Sequence, residues 1–280
     1  MGARQKRSAL YDCMPDGAAG EEREDMTNEE ILRTAMKQSA LDINCNAADF
    51  LCNDPVIVRS GVGPDARKYY KEPIACNLVS YGNNVVASVR DEYREIVETY
   101  VKKFPFYHCF ETPNLHWLNE RMVPLGQKVC FMAEYYLPDV EKLRALSCGY
   151  ELRVLEQADF PDLYKPEWSN ALCADRKELD ILGMGAYDGG KLVGLAGCSA
   201  DCESMWQIGV DVLPEYRRRS VAAALTSGLA LEIVERGKVP FYCSAWSNIR
   251  SVRNAVKSGF IPAWVEMTVK PQEIVDECNG

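Results

Sequence analysis

The hydrophobic positions of this chain repeat with a helical period in several segments. Thr27 and Glu30 have the spacing of a capping box, which predicts that a helix begins there, and the apolar stripe behind them runs to Ile43. Asp91 is placed to cap a second helix, which Pro105 ends. The same period predicts further helical segments over residues 158–164, 221–236 and 248–257.

Short apolar runs between turn residues predict β-strands. Asp188, Gly189 and Gly190 form a turn between two of them, because glycine adopts the positive φ values that a tight hairpin needs. In the second half, hairpin strands precede a β-α-β-α-β order, which indicates an α/β fold with a mixed sheet. Residues 56–84, interrupted by glycine and proline, predict only short elements. The predicted strands cover residues 85–89, 128–135, 151–155, 181–187, 191–200, 206–212, 240–246 and 262–269.

The length of 280 residues predicts two domains rather than one, at about 150 residues per domain. Residues 1–25 contain few large apolar side chains and are expected to form a flexible tail. Residues 26–145 are expected to form a smaller mixed α/β domain that covers one side of a cleft. Residues 146–280 show the more regular alternation of strands and helices and are expected to form the main functional domain.

Composition excludes several classes of function. The chain is 47% hydrophobic, enough for an extensive core, and its net charge of −9 argues against nucleic acid and anionic membranes as partners. No run approaches the roughly 18 apolar residues of a membrane span, and the N-terminus lacks the apolar core of a secretory signal. The twelve cysteines lack the spacing of a metal site. We therefore expect an intracellular, cytoplasmic protein with reduced thiols and no bound metal.

Basic charge is concentrated in one part of this acidic chain. Residues 214–257 contain eight basic and three acidic side chains, a local charge of +5, and Arg217, Arg218 and Arg219 are consecutive. These arginines lie where a predicted strand turns into a predicted helix. Exposed amides and the positive end of a helix dipole form an anion site at such a junction, suited to phosphate or diphosphate.

This segment resembles the acyl-CoA diphosphate loop of the GNAT superfamily of N-acetyltransferases, whose pattern is Gln/Arg-x-x-Gly-x-Gly/Ala. Arg217, Ser220 and Ala222 occupy its three defined positions. The pair Asn248 and Ser251, followed by the sequence Lys-Ser-Gly-Phe at 257–260, resembles the last helix of the family and its turn into the final strand. The resemblance covers roughly 120 residues, from about Tyr150 to about Val269.

The resemblance implies a GNAT-like acyl-CoA-binding fold for residues 146–280 and transfer of an acetyl group from acetyl-CoA to a primary amine by direct attack. The acceptor is expected to be a small-molecule or polypeptide amine, and the sequence leaves its identity and the oligomeric state open. The implied cofactor-binding residues are Val210, Val212, Arg217, Arg218, Arg219, Ser220, Val221, Ala222, Asn248 and Ser251.

Direct attack needs a base to deprotonate the amine and a group to protonate the leaving thiolate. Asp211 and Glu203 are the candidate bases, although Asp211 is equally suited to a structural role and Glu203 to a solvated loop. Tyr242, Cys243 and Ser244 are the candidate proton donors, each of which also suits simple packing or hydrogen bonding. These five residues lie on or next to two neighbouring predicted strands.

The chain departs from the family pattern at three positions. Ser220 stands where glycine is usual, Ala255 where a tyrosine acid is frequent, and Trp206 where a glutamate base is frequent. These departures leave a second hypothesis open, a catalytically inactive acyl-CoA-binding regulatory module. A third, an RNA- or DNA-binding domain using the arginines, conflicts with the overall acidity and the lack of a basic, aromatic-rich surface.

Overall fold

The computed structural model describes residues 26–279, and one continuous mixed sheet of ten strands lies at its centre. The strand order is β1-β3-β2-β10-β4-β9-β8-β7-β6-β5. The strands are β1 (Val56–Arg59), β2 (Cys76–Ser80), β3 (Val86–Val89), β4 (Gln127–Pro138), β5 (Glu151–Glu156), β6 (Asp180–Asp188), β7 (Lys191–Ser199), β8 (Met205–Val212), β9 (Val239–Ser244) and β10 (Phe260–Pro271).

Six α-helices connect or flank these strands. They are α1 (Asn28–Ile43), α2 (Arg94–Lys103), α3 (Thr112–Met122), α4 (Val221–Glu235), α5 (Ile249–Lys257) and α6 (Gln272–Cys278). The predicted capping box of α1 is confirmed: the Thr27 hydroxyl accepts from the Glu30 amide, and the Glu30 carboxylate accepts from the Thr27 amide. This exchange satisfies donors that a helix start otherwise leaves free.

Different elements pack on the two faces of the sheet between β6 and β9. Helix α4 packs on one face, where Gly194 of β7 lets Val221 and Leu225 come close to the strand. A turn at residues 168–171 lies on the opposite face, directly against Gly197 and Gly209. Helix α1 packs beside this turn, against β4, β8 and β9.

Most of the predicted elements of the second half are confirmed within one or two residues. Gly189 and Gly190 have φ values of 54° and 88° in the β6–β7 hairpin, and Gly237 ends α4 with φ 71°. The prediction of a helix over 158–164 is wrong. This segment consists of two short 3-10 turns, and Phe160, which lies between them, packs on the β-sheet. Asp91 also differs from its prediction: it opens a 3-10 turn, and α2 starts only at Arg94 without a side-chain cap.

The sheet passes through both parts of the predicted domain division. Strand β4, which lies before residue 145, pairs with β9 and β10 from the second part, and β10 also pairs with β2. The boundary at residues 145 and 146 stays a prediction, and the predicted tail, residues 1–25, lies outside the described residues. None of the described helices has the length and apolar character needed to cross a membrane.

Candidate functional site

The candidate site begins where β8 ends and α4 starts. A 3-10 turn at Pro214–Tyr216 leads into the loop, in which Arg218 and Ser220 have φ values of 61° and 63°. The first amide of α4 that bonds back along the chain is that of Ala224, to the Ser220 carbonyl at 3.0 Å. The amides of residues 221–223 precede this bond, so they face outward from the helix start, as an anion site requires.

Four cationic side chains surround this helix start. The Arg217 guanidinium donates to the Val212 carbonyl at 2.9 Å, and Arg219 donates to the Tyr150 hydroxyl at 2.7 Å. Arg218 is exposed beside them. Lys257, at the end of α5, donates from Nζ to the Ser220 hydroxyl at 2.8 Å. Within residues 26–279 the hydrogen-bond acceptors of these side chains are neutral oxygens and no carboxylate pairs with them, so the loop carries a net positive charge.

A gap in the strand pairing continues the site into the sheet. Strands β8 and β9 run parallel, but their pairing ends at Ile208 and Tyr242. Strand β8 continues to Val212, so Val210 and Val212 lie on a stretch of β8 that has no partner on the β9 side. Such an edge offers main-chain donors and acceptors to an extended ligand.

The remaining predicted cofactor-binding residues lie along the same junction. Val221 is buried under the sheet and Ala222 is half-buried at the helix start. Asn248 caps α5 by accepting from the Ser251 amide at 3.3 Å. The Ser251 hydroxyl lies 2.8 Å from the Tyr242 hydroxyl, so α5 is tied to β9 at the point where the strand pairing ends.

The predicted proton donors are all on β9. Burial raises the pKa of Tyr242 above its ordinary value, against the smaller opposing effects of hydrogen bonds with Ser251 and Asn254, so its phenol is protonated at neutral pH. Cys243 accepts a hydrogen bond from Gln207 at 3.1 Å, and burial raises its pKa to about 11. Ser244 is buried and pairs in register with Glu134 of β4.

The two predicted bases have very different surroundings. Asp211 accepts three hydrogen bonds from the turn at 168–171: two from Asn170, at 2.6 and 2.8 Å, and one from the Ala171 amide at 3.0 Å. Glu203 is exposed before the start of β8, paired with Lys238, which lowers the pKa of the Glu203 carboxyl. It lies outside β8, six residues before Gly209, so it is remote from the end of the strand where Asp211 lies.

Two of the three positions where the family pattern is broken belong to the core cluster beneath α4. Ala255 of α5 is fully buried there, and Trp206 of β8 is half-buried against it. The third position, Ser220, lies in the arginine loop and is half-buried.

A buried charged cluster on the opposite face of the sheet was missed from the sequence. Arg67 is fully buried, with Nε 3.1 Å from an Asp42 oxygen and Nη1 3.5 Å from a Glu266 oxygen. Its guanidinium lies over the rings of Phe241, at 5.0 Å, and Trp264, at 5.7 Å. No periodic pattern marks Arg67, which follows a glycine- and proline-rich stretch. The cluster borders Cys243, one residue beyond the end of the β8–β9 pairing.

A protein binds a metal ion through several side chains together. Residues 26–279 contain no group of three or more histidine, cysteine, aspartate or glutamate side chains that could hold a metal ion.

Solved structures with likeness to this chain include several GNAT proteins. A putative GNAT acetyltransferase from Novosphingobium aromaticivorans is 20% identical, with 51% of this chain and 66% of that chain covered and a TM-score of 0.42. A GCN5-related N-acetyltransferase-like protein from Streptococcus suis is 18% identical, with coverage of 56% and 68% and a TM-score of 0.43. The chain thus spans about two thirds of the length of these two proteins. No curated protein matches it.

The sequence model of one protein family matches this chain. The GNAT acetyltransferase model matches residues 93–263, more than half of the chain, and this range includes β8, the arginine loop, α4, β9 and α5. The chain belongs to the GNAT acetyltransferase family.

Proposed function

We propose that this protein is an N-acetyltransferase that binds acetyl-CoA at the junction of β8 and α4 and transfers the acetyl group to a primary amine. The observation that supports this most is the meeting of outward-facing amides, four cations and an unpaired strand edge at one place. Each of the three suits a different part of one elongated, anionic ligand.

The donors at the loop fit a diphosphate. The amides at the start of α4 and the guanidinium groups of residues 217–219 are hydrogen-bond donors with positive charge, which is what phosphate oxygens accept. The Ser220 side chain adds a Cβ where the family pattern has glycine, and its hydroxyl is held by Lys257. In our proposal, Lys257 and this hydroxyl take part in the contact that a bare glycine backbone otherwise makes alone.

The unpaired edge of β8 fits the arm of the ligand that leads to the thioester. The main chain of Val210 and the amide of Val212 supply hydrogen bonds there, whereas the Val212 carbonyl already accepts from Arg217. Asn248 and Ser251 border the same gap from α5. The thioester is then expected next to Tyr242, where the two strands separate.

The acceptor amine, which has lost its ammonium proton to solvent water, attacks the thioester carbonyl carbon and forms the C–N bond. The C–S bond breaks, the nitrogen gives up a second proton to water, and the leaving sulfur takes up a proton. Tyr242 is our candidate for that proton, because its phenol is protonated at neutral pH and Ser251 fixes its orientation. Asp211 acts in this proposal as a positioning residue, since its carboxylate holds the turn that covers the adjacent face of β8. Asp211→Asn, which keeps an acceptor oxygen, is then expected to retain more activity than Asp211→Ala.

The double variant Arg217→Ala/Arg219→Ala tests the loop assignment. Losing two cations that border the diphosphate is expected to weaken acetyl-CoA affinity by about 100-fold, at roughly 1.4 kcal/mol for each cation. Arg33→Ala/Lys37→Ala, which removes two exposed cations from α1, is the matched control for the change in net charge. Equal affinity in the two double variants would overturn the assignment.

A catalytically inactive acyl-CoA-binding module is the second candidate function. The buried Ala255 and the half-buried Trp206, at positions where the family frequently has its acid and base, favour it. Release of CoA from acetyl-CoA, corrected for hydrolysis, in the presence of a broad panel of amines separates the two. Saturable binding without amine-dependent release would assign the module, and release with any amine would assign the enzyme.

A further inference from the structure

The loop at the start of α4 also has the sequence of a kinase substrate. Arg217, Arg218 and Arg219 precede Ser220, and the apolar Val221 follows it. Arginine three and two residues before a serine is the charge pattern that arginine-directed protein kinases recognise, because acidic groups in their substrate cleft pair with guanidinium groups. All three arginines are exposed, so the determinants of recognition are on the surface.

We propose that Ser220 is a phosphorylation site and that its phosphorylation switches off acyl-CoA binding. This inference rests on the proposed function, since it assumes that the loop binds the diphosphate of acyl-CoA. The kinase motif and the proposed diphosphate site consist of the same residues. Phosphorylation of this motif would therefore act directly on ligand binding.

The modification is a phosphoryl transfer from ATP supplied by a protein kinase. The Ser220 Oγ forms a bond to the γ-phosphorus, the bond from that phosphorus to the bridging oxygen of ADP breaks, and the hydroxyl proton passes to the base of the kinase. The phosphoryl group attached to Oγ of residue 220 carries a charge of about −1.5 to −2 at neutral pH.

The surroundings of Ser220 stabilise the product. Lys257 already donates to the Ser220 hydroxyl at 2.8 Å, so the new phosphate lies beside an ammonium group without any rearrangement of α5. The phosphate also lies at the positive end of α4 and next to Arg219. It thus uses the charges that the diphosphate of acyl-CoA needs.

The same phosphate opposes the ligand in two ways. It occupies the space in front of the first amides of α4, and it repels a diphosphate of like charge at contact distance. We therefore expect acetyl-CoA affinity to fall at least about 100-fold on phosphorylation.

Ligand binding is expected to protect the serine in return. Val221 is buried, so the kinase must open the first turn of α4 to reach an extended substrate segment. Acetyl-CoA holds this turn closed in the proposed complex. Saturating acetyl-CoA should therefore slow phosphorylation of Ser220, because bound ligand keeps the loop out of the kinase cleft.

The test uses the full chain, an arginine-directed serine kinase such as cAMP-dependent protein kinase, and ATP. Peptide mapping by mass spectrometry locates the phosphoryl group, and calorimetric titration gives acetyl-CoA affinity before and after treatment, and again after a phosphatase. Ser220→Ala, treated identically, is the matched control: its affinity should not change with kinase treatment. Phosphate on Ser220 with a loss of affinity that the phosphatase reverses is the expected result.

Three outcomes would overturn the switch, and they are distinguishable. No phosphate on Ser220 would show that the folded loop is not a substrate. Phosphate on Ser220 with unchanged affinity would show that the modification does not control binding. An untreated protein that does not bind acetyl-CoA would overturn the proposed function itself and the switch with it.

Discussion

At the scale of single residues, the exchange of glycine for serine in the loop is tied to a lysine on another helix. Ser220 has a φ of 63°, in the left-handed region of backbone conformation. Glycine adopts this region without steric strain, whereas the Cβ of any other residue comes too close to the following carbonyl oxygen. The Lys257 contact gives the hydroxyl a fixed direction. The pair therefore adds charge and a donor to the loop at the cost of local backbone strain.

Lys257→Ala is expected to weaken acetyl-CoA affinity by about tenfold, because one cation at a diphosphate contributes roughly 1.4 kcal/mol. Calorimetric titration measures the change. Arg253→Ala is the matched control, since it removes an exposed cation from the same helix. If both variants lose affinity equally, general charge rather than the Ser220 contact determines binding.

Asp180, a buried residue at the start of β6, should make stability depend on pH. Burial raises the pKa of its carboxyl from 3.8 to about 6, more than the hydrogen bond from the Cys173 amide lowers it. The folded state thus binds this proton more tightly than the unfolded state does. The stabilising contribution is complete below pH 4 and is lost as pH rises through about 6.

Asp180→Asn removes this titration. Relative to the wild type, the variant should gain roughly 2 kcal/mol in free energy of unfolding between pH 4 and pH 7, measured by urea unfolding. Asp139→Asn is the control: hydrogen bonds with Lys142 and Asn28 lower the pKa of the Asp139 carboxyl, so this group is ionised in both states above about pH 4 and the difference between Asp139→Asn and the wild type should be nearly flat from pH 4 to pH 7. A flat difference between Asp180→Asn and the wild type would contradict the account.

At the scale of elements, the sequence pattern predicts a helix or a strand correctly where residues close together in the chain determine the structure. The capping box of α1, the Gly-Gly turn of the β6–β7 hairpin and the glycine stop of α4 act within a few residues. Residues 158–164 have a helical pattern but form 3-10 turns, because Phe160 and its neighbours pack on the sheet. Such long-range packing overrides local propensity.

The turn at 168–171 should be sensitive to any side chain beneath it. A Cβ on Gly209 would lie 1.8 Å from the Asn170 carbonyl oxygen, so Gly209→Ala must displace the turn and its hydrogen bonds to Asp211. We expect a loss of about 3 kcal/mol in free energy of unfolding, measured by urea titration. Gly149→Ala, where no atom lies within 4 Å of the added Cβ, should change stability little. Similar losses in both variants would refute the close packing.

At the scale of the whole molecule, one sheet joins the two parts of the chain. Strand β10, the last in sequence, lies between β2 and β4 of the first part. The arginine loop could be predicted because its residues are contiguous and its chemistry is local. The Arg67 cluster could not, because it brings together Asp42, Arg67 and Glu266 from three distant segments, and nothing in their spacing marks the contact.

The arrangement of the sheet also gives the first part of the chain a role in the proposed function. Arg67 and Asp42 cover the face opposite α4, over Phe241 of β9 and beside Cys243. In the proposed complex, the acceptor amine reaches the point where β8 and β9 separate from the side of the sheet that this cluster occupies. We therefore propose that residues 26–145 help to select the acceptor.

A calorimetric titration of the purified protein with acetyl-CoA and with free CoA, at moderate salt, tests most directly whether the junction of β8 and α4 is an acyl-CoA site. The account predicts saturable one-to-one binding of both ligands, strongly weakened in Arg217→Ala/Arg219→Ala and retained in Arg33→Ala/Lys37→Ala. A protein that binds neither ligand, although folded, would contradict it, because the amides, cations and open strand edge at the start of α4 would then not form an acyl-CoA site.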